Sequence, residues 1–334
     1  MPTTSHEVAA LSVAGVAEPV LTELVSAGAP MHAARVLVCV LPGNPGAAGF
    51  YESFVARIAA AAAAAAAAAP SAAARGVRVT CVGHASHHAL SASPRALSLV
   101  QQVAHKEAYL LAALAAAPPG LRLVLVGHSV GAHMAVEAAA SLQLPRGSVA
   151  GVAALFPTLL DIALTKRGRQ LAPLFSLLGT FLVSSLAWLL RALTPRALLR
   201  RVASGVVGAR AGATAVGLVH AHVAAAALVL ARHEMAEIAD VGGGARAAAR
   251  ALGSRLFCYF APDDNWNRPG DAARVAELFP RAEVVLDTEG HSHSFVLRDA
   301  SVDAMAARVW RFAERALLGA EGRSSASRRR GSVS

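Results

Sequence analysis

Ser129 is the residue on which chemistry can be built. It sits in Gly127-His128-Ser129-Val130-Gly131, a G-x-S-x-G spacing. A serine hydroxyl is a weak nucleophile at neutral pH. It needs a base, usually a histidine, and that histidine needs a carboxylate to fix its tautomer. Both partners occur downstream, acid before histidine: Asp263-Asp264, then His291 and His293 within HSHSF. Acyl transfer also needs N–H donors aimed at the developing oxyanion. One is the backbone N–H of Val130, directly after the serine. A second fits Asn44, inside Pro42-Gly43-Asn44-Pro45-Gly46, where its neighbours are a glycine and a proline without an N–H.

These residues can act together only if strands and helices deliver them to one place. Leu121–Val126 is a short apolar, β-branched run and reads as a buried parallel strand. Val130–Leu142 is apolar and Ala-rich and reads as a helix. Ser129 therefore falls on a sharp strand-to-helix turn, where Gly127 and Gly131 avoid side-chain clashes and His128 shapes the turn. The helix start adds free N–H groups and positive partial charge.

Other strand candidates are Arg35–Leu41, Val77–Val82, Val149–Leu155, Leu256–Ala261 and Glu283–Leu286. Helices are expected at Phe50–Ala69, Pro94–Ala117, Asp271–Phe279 and Ser301–Leu318, and an N-terminal hairpin from His6–Val13 and Val20–Val25. The alanine tract favours helix and carries no chemistry, and Pro70 and Gly76 end it. Asn44, the aspartates and the histidines each follow a predicted strand. Alternating strands and helices imply a mainly parallel sheet with helices on both faces, and ligands bind at the carboxyl ends of its strands.

The alternation breaks at Leu159. From there to about Arg250 the pattern is helical and apolar, without a convincing strand. The expected organisation is a core in two parts, 1–158 and 251–320, a helical lid insertion over 159–250, and a basic, Ser-rich, disordered tail over 321–334. Leu171–Leu190 has twenty residues and no charge, long enough to cross a bilayer as a helix. A single crossing would put Ser129 on one side and Asp264 and His293 on the other. Both flanks are basic, so an apolar helical hairpin dipping into a phospholipid monolayer is expected, with its arginines at the head groups.

The chain has 334 residues, 55% hydrophobic, and a net charge of +10. Asp161–Arg201 carries +6 of this and Glu321–Ser334 carries +3. The near-neutral remainder excludes a general nucleic-acid-binding face, and basic residues beside apolar segments suit an anionic membrane surface. Cys39, Cys81 and Cys258 each fall in a predicted strand and read as buried small hydrophobes. His84, His87 and His88 lack a nearby carboxylate or thiol ligand, so neither metal nor cofactor is expected. The N-terminus lacks the basic and apolar regions of a secretory signal.

The residues alone leave Asp263 and Asp264 open, since either can serve the loop or cap the helix at Asp271. His293, two residues before Phe295, is favoured over His291. LPGNPG with Phe50-Tyr51 and Phe54, GHASHHAL, GHSVGA, LFPT, DDNW and HSHSF occur in one order between about Leu37 and Phe295. In these motifs the chain resembles the lipid droplet-associated hydrolase family. The alanine tract and Gly205–Ala231 depart from a typical member. The resemblance implies an α/β-hydrolase fold, a Ser129–Asp264–His293 triad, and residence on lipid droplets and the cytosolic face of the endoplasmic reticulum. It implies an acyl-lipid substrate, a neutral-lipid or sterol ester, hydrolysed through an acyl-enzyme. Two rival expectations are a droplet-binding protein with little turnover and a soluble small-ester esterase or thioesterase.

Overall fold

The structure is a computed structural model that describes residues 2–68, 75–89 and 95–331. Pro70, the Leu90–Pro94 end of the histidine-rich loop and the last three residues lie outside them.

Strands β1 (Ser5–Leu11) and β2 (Val20–Gly28) form the expected hairpin. β3 (Val36–Leu41) is buried at every position. A 3-10 turn at Ala48–Tyr51 leads into α1 (Glu52–Ala68), and β4 (Val77–Val82) follows. Helix α2 (Leu99–Ala116) starts later than the Pro94 expected, because Ser98 caps it. The Ser98 hydroxyl accepts from Gln101 N–H while the Gln101 side chain accepts from Ser98 N–H. Then come β5 (Arg122–His128), α3 (Val130–Ala139) and β6 (Val149–Leu155).

The insertion holds α4 (Lys166–Phe175), α5 (Leu177–Leu193), α6 (Arg196–Val207), α7 (Ala209–Gly217) and α8 (Ala221–Glu237). The core resumes with α9 (Gly243–Leu252), β7 (Leu256–Phe260), α10 (Asp271–Leu278), β8 (Glu283–Leu286) and α11 (Asp299–Gly331).

The eight strands form one sheet in the order β1-β2-β4-β3-β5-β6-β7-β8, parallel from β4 onward across the sheet. Because both faces are covered, the central strands are continuous apolar runs rather than alternating ones. Helices α1 and α11 pack together on one face, over Val38, Val126 and Tyr259. Helices α2, α3 and α9 cover the other, over Cys39, Leu125 and Cys258. This is the α/β-hydrolase architecture, and it puts the carboxyl ends of β3, β5, β7 and β8 along one edge.

Ala245, Ala249 and Leu252 of α9 share one buried cluster with Leu160, Ile162, Leu230 and Ile238, so both ends of the insertion pack into the core. Leu171–Leu190 is not one helix: α4 and α5 meet at 75°. Ser176 makes the break, accepting from Gly179 N–H at 3.0 Å and so starting a new helix. The backbone of α11 is helical through Gly331.

The insertion has a narrow neck. Asp161 N–H donates to Ala239 carbonyl at 3.0 Å and Ile162 N–H to Ile238 carbonyl at 3.2 Å. The Asp161 carboxylate also accepts from Arg268 and Arg274 beside α10.

Candidate active site

Ser129 is held on a strained turn between β5 and α3, with φ 55° and ψ −126°. Left-handed backbone is costly for a residue with a side chain and persists only where its surroundings impose it. Here Ser129 N–H donates to Leu155 carbonyl on β6 at 3.1 Å, and Ser129 carbonyl accepts from Ala132 N–H at 2.9 Å. The glycines on either side are forced by contact. A Cβ on Gly127 would fall 2.3 Å from Ala132 Cα, and one on Gly131 would fall 2.1 Å from Leu41 carbonyl oxygen. Val130 N–H, in the first turn of α3, has no intrahelical acceptor and stands next to the serine.

His293, in the loop after β8, brings Nε2 to 3.0 Å from Ser129 Oγ. Its Nδ1 lies 2.7 Å from Asp264 Oδ2. Asp264 is buried in the loop after β7 and also accepts from Trp266 N–H at 2.9 Å and Asn267 Nδ2 at 3.1 Å. Nδ1–H therefore donates to a carboxylate fixed by three bonds, which leaves Nε2 to accept the serine proton. Asp263 points to solvent. His291 turns the other way: its Nδ1 meets Ser301 Oγ at 2.9 Å and its Nε2 meets Glu289 at 3.1 Å. The structure thus brings Ser129, Asp264 and His293 together and leaves Asp263 and His291 out.

The Asn44 loop lies against the serine, since a Cβ on Gly43 would fall 2.8 Å from Ser129 Cβ. Gly43 N–H is taken by Tyr51 Oη at 2.8 Å. Asn44 N–H has no acceptor among the described residues. A buried histidine pair supports the loop from below. His87 Nδ1 donates to Pro45 carbonyl at 2.7 Å, and His84 N–H donates to Gly46 carbonyl at 2.8 Å. Burial pushes the His87 imidazole down to about 4 and the His84 imidazole well below the usual histidine range.

His128 ties this loop to the histidine loop. Its Nε2 lies 2.8 Å from the backbone carbonyl of His293, which can only accept. Nε2 therefore carries the proton, and Nδ1 must accept from Tyr51 Oη at 2.5 Å. Burial holds this ring neutral, well below the ordinary histidine pKa. The edges of Phe156 and Phe295 enclose it.

Ser129 and His293 open into a cavity of about 370 Å³. Its walls are mainly apolar: Leu171 and Phe175 from α4, Leu228 and Met235 from α8, with Trp266 and Leu297 from the core. One acidic side chain enters it. Glu234 of α8 is buried, and that burial pushes its carboxyl up to about 7 against a hydrogen bond from Asn44. The opposite side of the insertion is apolar and exposed. On α5, Leu177, Phe181 and Trp188 are 77%, 65% and 63% accessible, and α6 adds Leu198, Val202 and Val206.

Sequence reasoning passed over Tyr51, Phe156 and Glu234 as functional residues. Tyr51 and Phe156 lie within motifs, FY and LFPT, whose aromatic members read as packing. A carboxylate closing a 72-residue stretch with no other acid, Ile162–His233, is the signal that could have found Glu234.

Sheet order, elbow and the serine–histidine–aspartate contact define a hydrolase of the α/β-hydrolase fold. Solved structures agree on the fold. The haloalkane dehalogenase DbeA of Bradyrhizobium elkani superposes with a TM-score of 0.62 at 15% identity, covering 93% of this chain and 99% of that one. A thermophilic esterase of Thermogutta terrifontis gives 0.57 at 13% identity, covering 91% and 97%. Residues 34–296 match the model of the lipid-droplet associated hydrolases, and the chain belongs to that family. It is 25% identical over 299 residues to the lipid droplet-associated hydrolase of Gallus gallus, covering 82% of this chain and 83% of that protein.

Proposed function

We propose that this chain is a serine ester hydrolase acting on acyl lipids, neutral-lipid or sterol esters, at the lipid droplet surface. The observation that carries this reading is the His293 Nε2 contact to Ser129 Oγ at the mouth of an apolar, lid-walled cavity. In the reaction, His293 Nε2 takes the Ser129 proton as Oγ attacks the ester carbonyl. The carbonyl oxygen becomes an oxyanion facing the N–H groups of Val130 and Asn44. The C–O bond to the alcohol then breaks, and His293 returns the proton to the leaving oxygen. Water, deprotonated by His293, attacks the acyl-enzyme; the acid leaves and Ser129 regains its proton. Asp264 stays ionised and steadies the imidazolium.

The exposed α5 and α6 leucines and the basic residues Lys166, Arg167, Arg191, Arg200 and Arg201 fit a monotopic lid on an anionic monolayer. This fits residence on the droplet and the cytosolic face of the endoplasmic reticulum. The same face also supports a second reading, a droplet-binding protein with little turnover. A fluorophosphonate probe and a panel of lipid esters, compared between wild type and Ser129→Ala, separate the two. Labelling and turnover that vanish together in Ser129→Ala are expected. Labelling without turnover of any lipid ester would favour the second reading.

A further inference from the structure

The Asn44 loop has few means of holding itself in place. Gly43 N–H is spent on Tyr51, Pro45 has no N–H, and Gly46 N–H folds back to Gly43 carbonyl at 2.7 Å. His87 and His84 hold the Pro45 and Gly46 carbonyls, and what fixes the Asn44 side chain comes from the insertion. Its carboxamide donates one proton to Ala227 carbonyl at 2.8 Å and the other to Glu234 Oε1 at 2.9 Å. Ala227 and Glu234 are two helical turns apart and share one face of α8, so the carboxamide bridges the two turns. Both side-chain donors are used, and the backbone N–H is what Asn44 has left for the cavity.

Glu234 is expensive to keep where it is. A carboxyl buried beside Leu228 and Met235 is penalised unless it is hydrogen-bonded. The influences on its titration are burial and the Asn44 bond, with no cation among them. A leucine would line this cavity more cheaply. What Glu234 does that a leucine cannot is accept a hydrogen bond from the residue that flanks Gly43, whose backbone lies against Ser129.

We propose that Glu234 is a positioning residue: through the Asn44 carboxamide it holds the Asn44 backbone N–H toward Ser129. The lid helix α8 is then part of the oxyanion site and more than its cover. This rests on the serine hydrolase reading above.

The test compares Glu234→Met, which keeps the volume and removes the acceptor, with Glu234→Gln, which keeps an oxygen acceptor. Turnover of a short soluble p-nitrophenyl ester is measured per active site, counted by fluorophosphonate titration. Glu234→Met is expected to lower kcat by roughly 30-fold with KM changed by less than about threefold. The Ki of a trifluoromethyl ketone, whose adduct carries the oxyanion, should rise in step with the loss of kcat/KM. Glu234→Gln should stay within about threefold of wild type, since its side-chain oxygen can accept the same bond from Asn44.

Should Glu234→Met not fold, Asn44→Ala breaks the same bond from its other end. It should show the same kcat loss. A Met variant or an Asn44→Ala variant with wild-type kcat per site would overturn the proposal. So would a Gln variant as impaired as Met or as Asn44→Ala. Turnover surviving Ser129→Ala would overturn the hydrolase reading and the proposal with it. Turnover lost with Ser129 but indifferent to Glu234 would overturn the proposal alone.

Discussion

His128 Nε2–H donates to the backbone carbonyl of His293 across 2.8 Å, so the residue before the serine holds the histidine that faces it. The same ring accepts from Tyr51, which accepts from Gly43. One neutral imidazole thus joins three loops that share no sequence proximity. Replacing it should loosen the His293 loop without touching Ser129. For His128→Leu we expect kcat to fall by roughly a hundredfold with KM little changed. A kcat within threefold of wild type, in a folded variant, would show that the ring only fills space.

The paired candidates should separate cleanly. His293→Ala and Asp264→Asn are expected to lower kcat by about 10⁴-fold, as loss of a triad member does. His291→Ala and Asp263→Asn, whose side chains face away from Ser129, should stay within tenfold. Ester turnover by the four variants decides this, and a dead His291→Ala with an active His293→Ala would reverse the assignment.

Stability should rise with pH across the acid range. Burial holds His87 and His133 near 4 in the fold, against 6.5 for a free imidazole. The unfolded chain binds more protons than the fold between those values. This part of stability is complete above 6.5 and is lost as pH falls toward 4, roughly 3 kcal/mol per group. Glu234, raised to about 7, acts oppositely: its part is complete below 4.5 and is lost as pH rises to 7. Between 4.5 and 6.5 the two histidines outweigh the one carboxyl, so melting temperature should rise from pH 4 to about 6.5, and Glu234→Gln should steepen that rise. A melting temperature constant from pH 4 to 7 would contradict this.

The exposed lid face should be separable from the chemistry. Phe181, Leu186 and Trp188 are outward on α5, away from the cavity. Changing all three to serine should reduce binding to phospholipid-coated triacylglycerol emulsions by at least tenfold. Turnover of a soluble ester should change less than threefold. Unchanged emulsion binding in a flotation assay would remove this face from the membrane reading.

The inner strands were legible because buried parallel strands are written as apolar runs, and Val149–Leu155 has the same limits in sequence and structure. Val77–Val82, interrupted by Arg78 and Thr80, and the partly exposed edge strand Glu283–Leu286 also keep their limits. Ser129 was legible because its turn leaves no room beside it, and that demand appears as two glycines. The lid was less so. Apolar content marks Leu171–Leu190 as helical, but the break at Ser176 depends on one hydroxyl capping one N–H, and serine equally tolerates a helix interior. Glu234 was illegible for a different reason. Its meaning comes from Asn44, which lies 190 residues away, and no local pattern records that distance.

The neck at Asp161–Ala239 bears on how the protein is made. The ribosome releases Ser129 and its strand first, then the whole insertion, and only afterwards β7, β8 and the loops bearing Asp264 and His293. During that interval α5 and α6 are already out, with their leucines uncovered, while the sheet still lacks two strands. Because the segment leaves and re-enters through paired backbone bonds, it can settle on its own surface without dragging the growing sheet. The newborn chain thus exposes its lid before it holds any complete site at which to react.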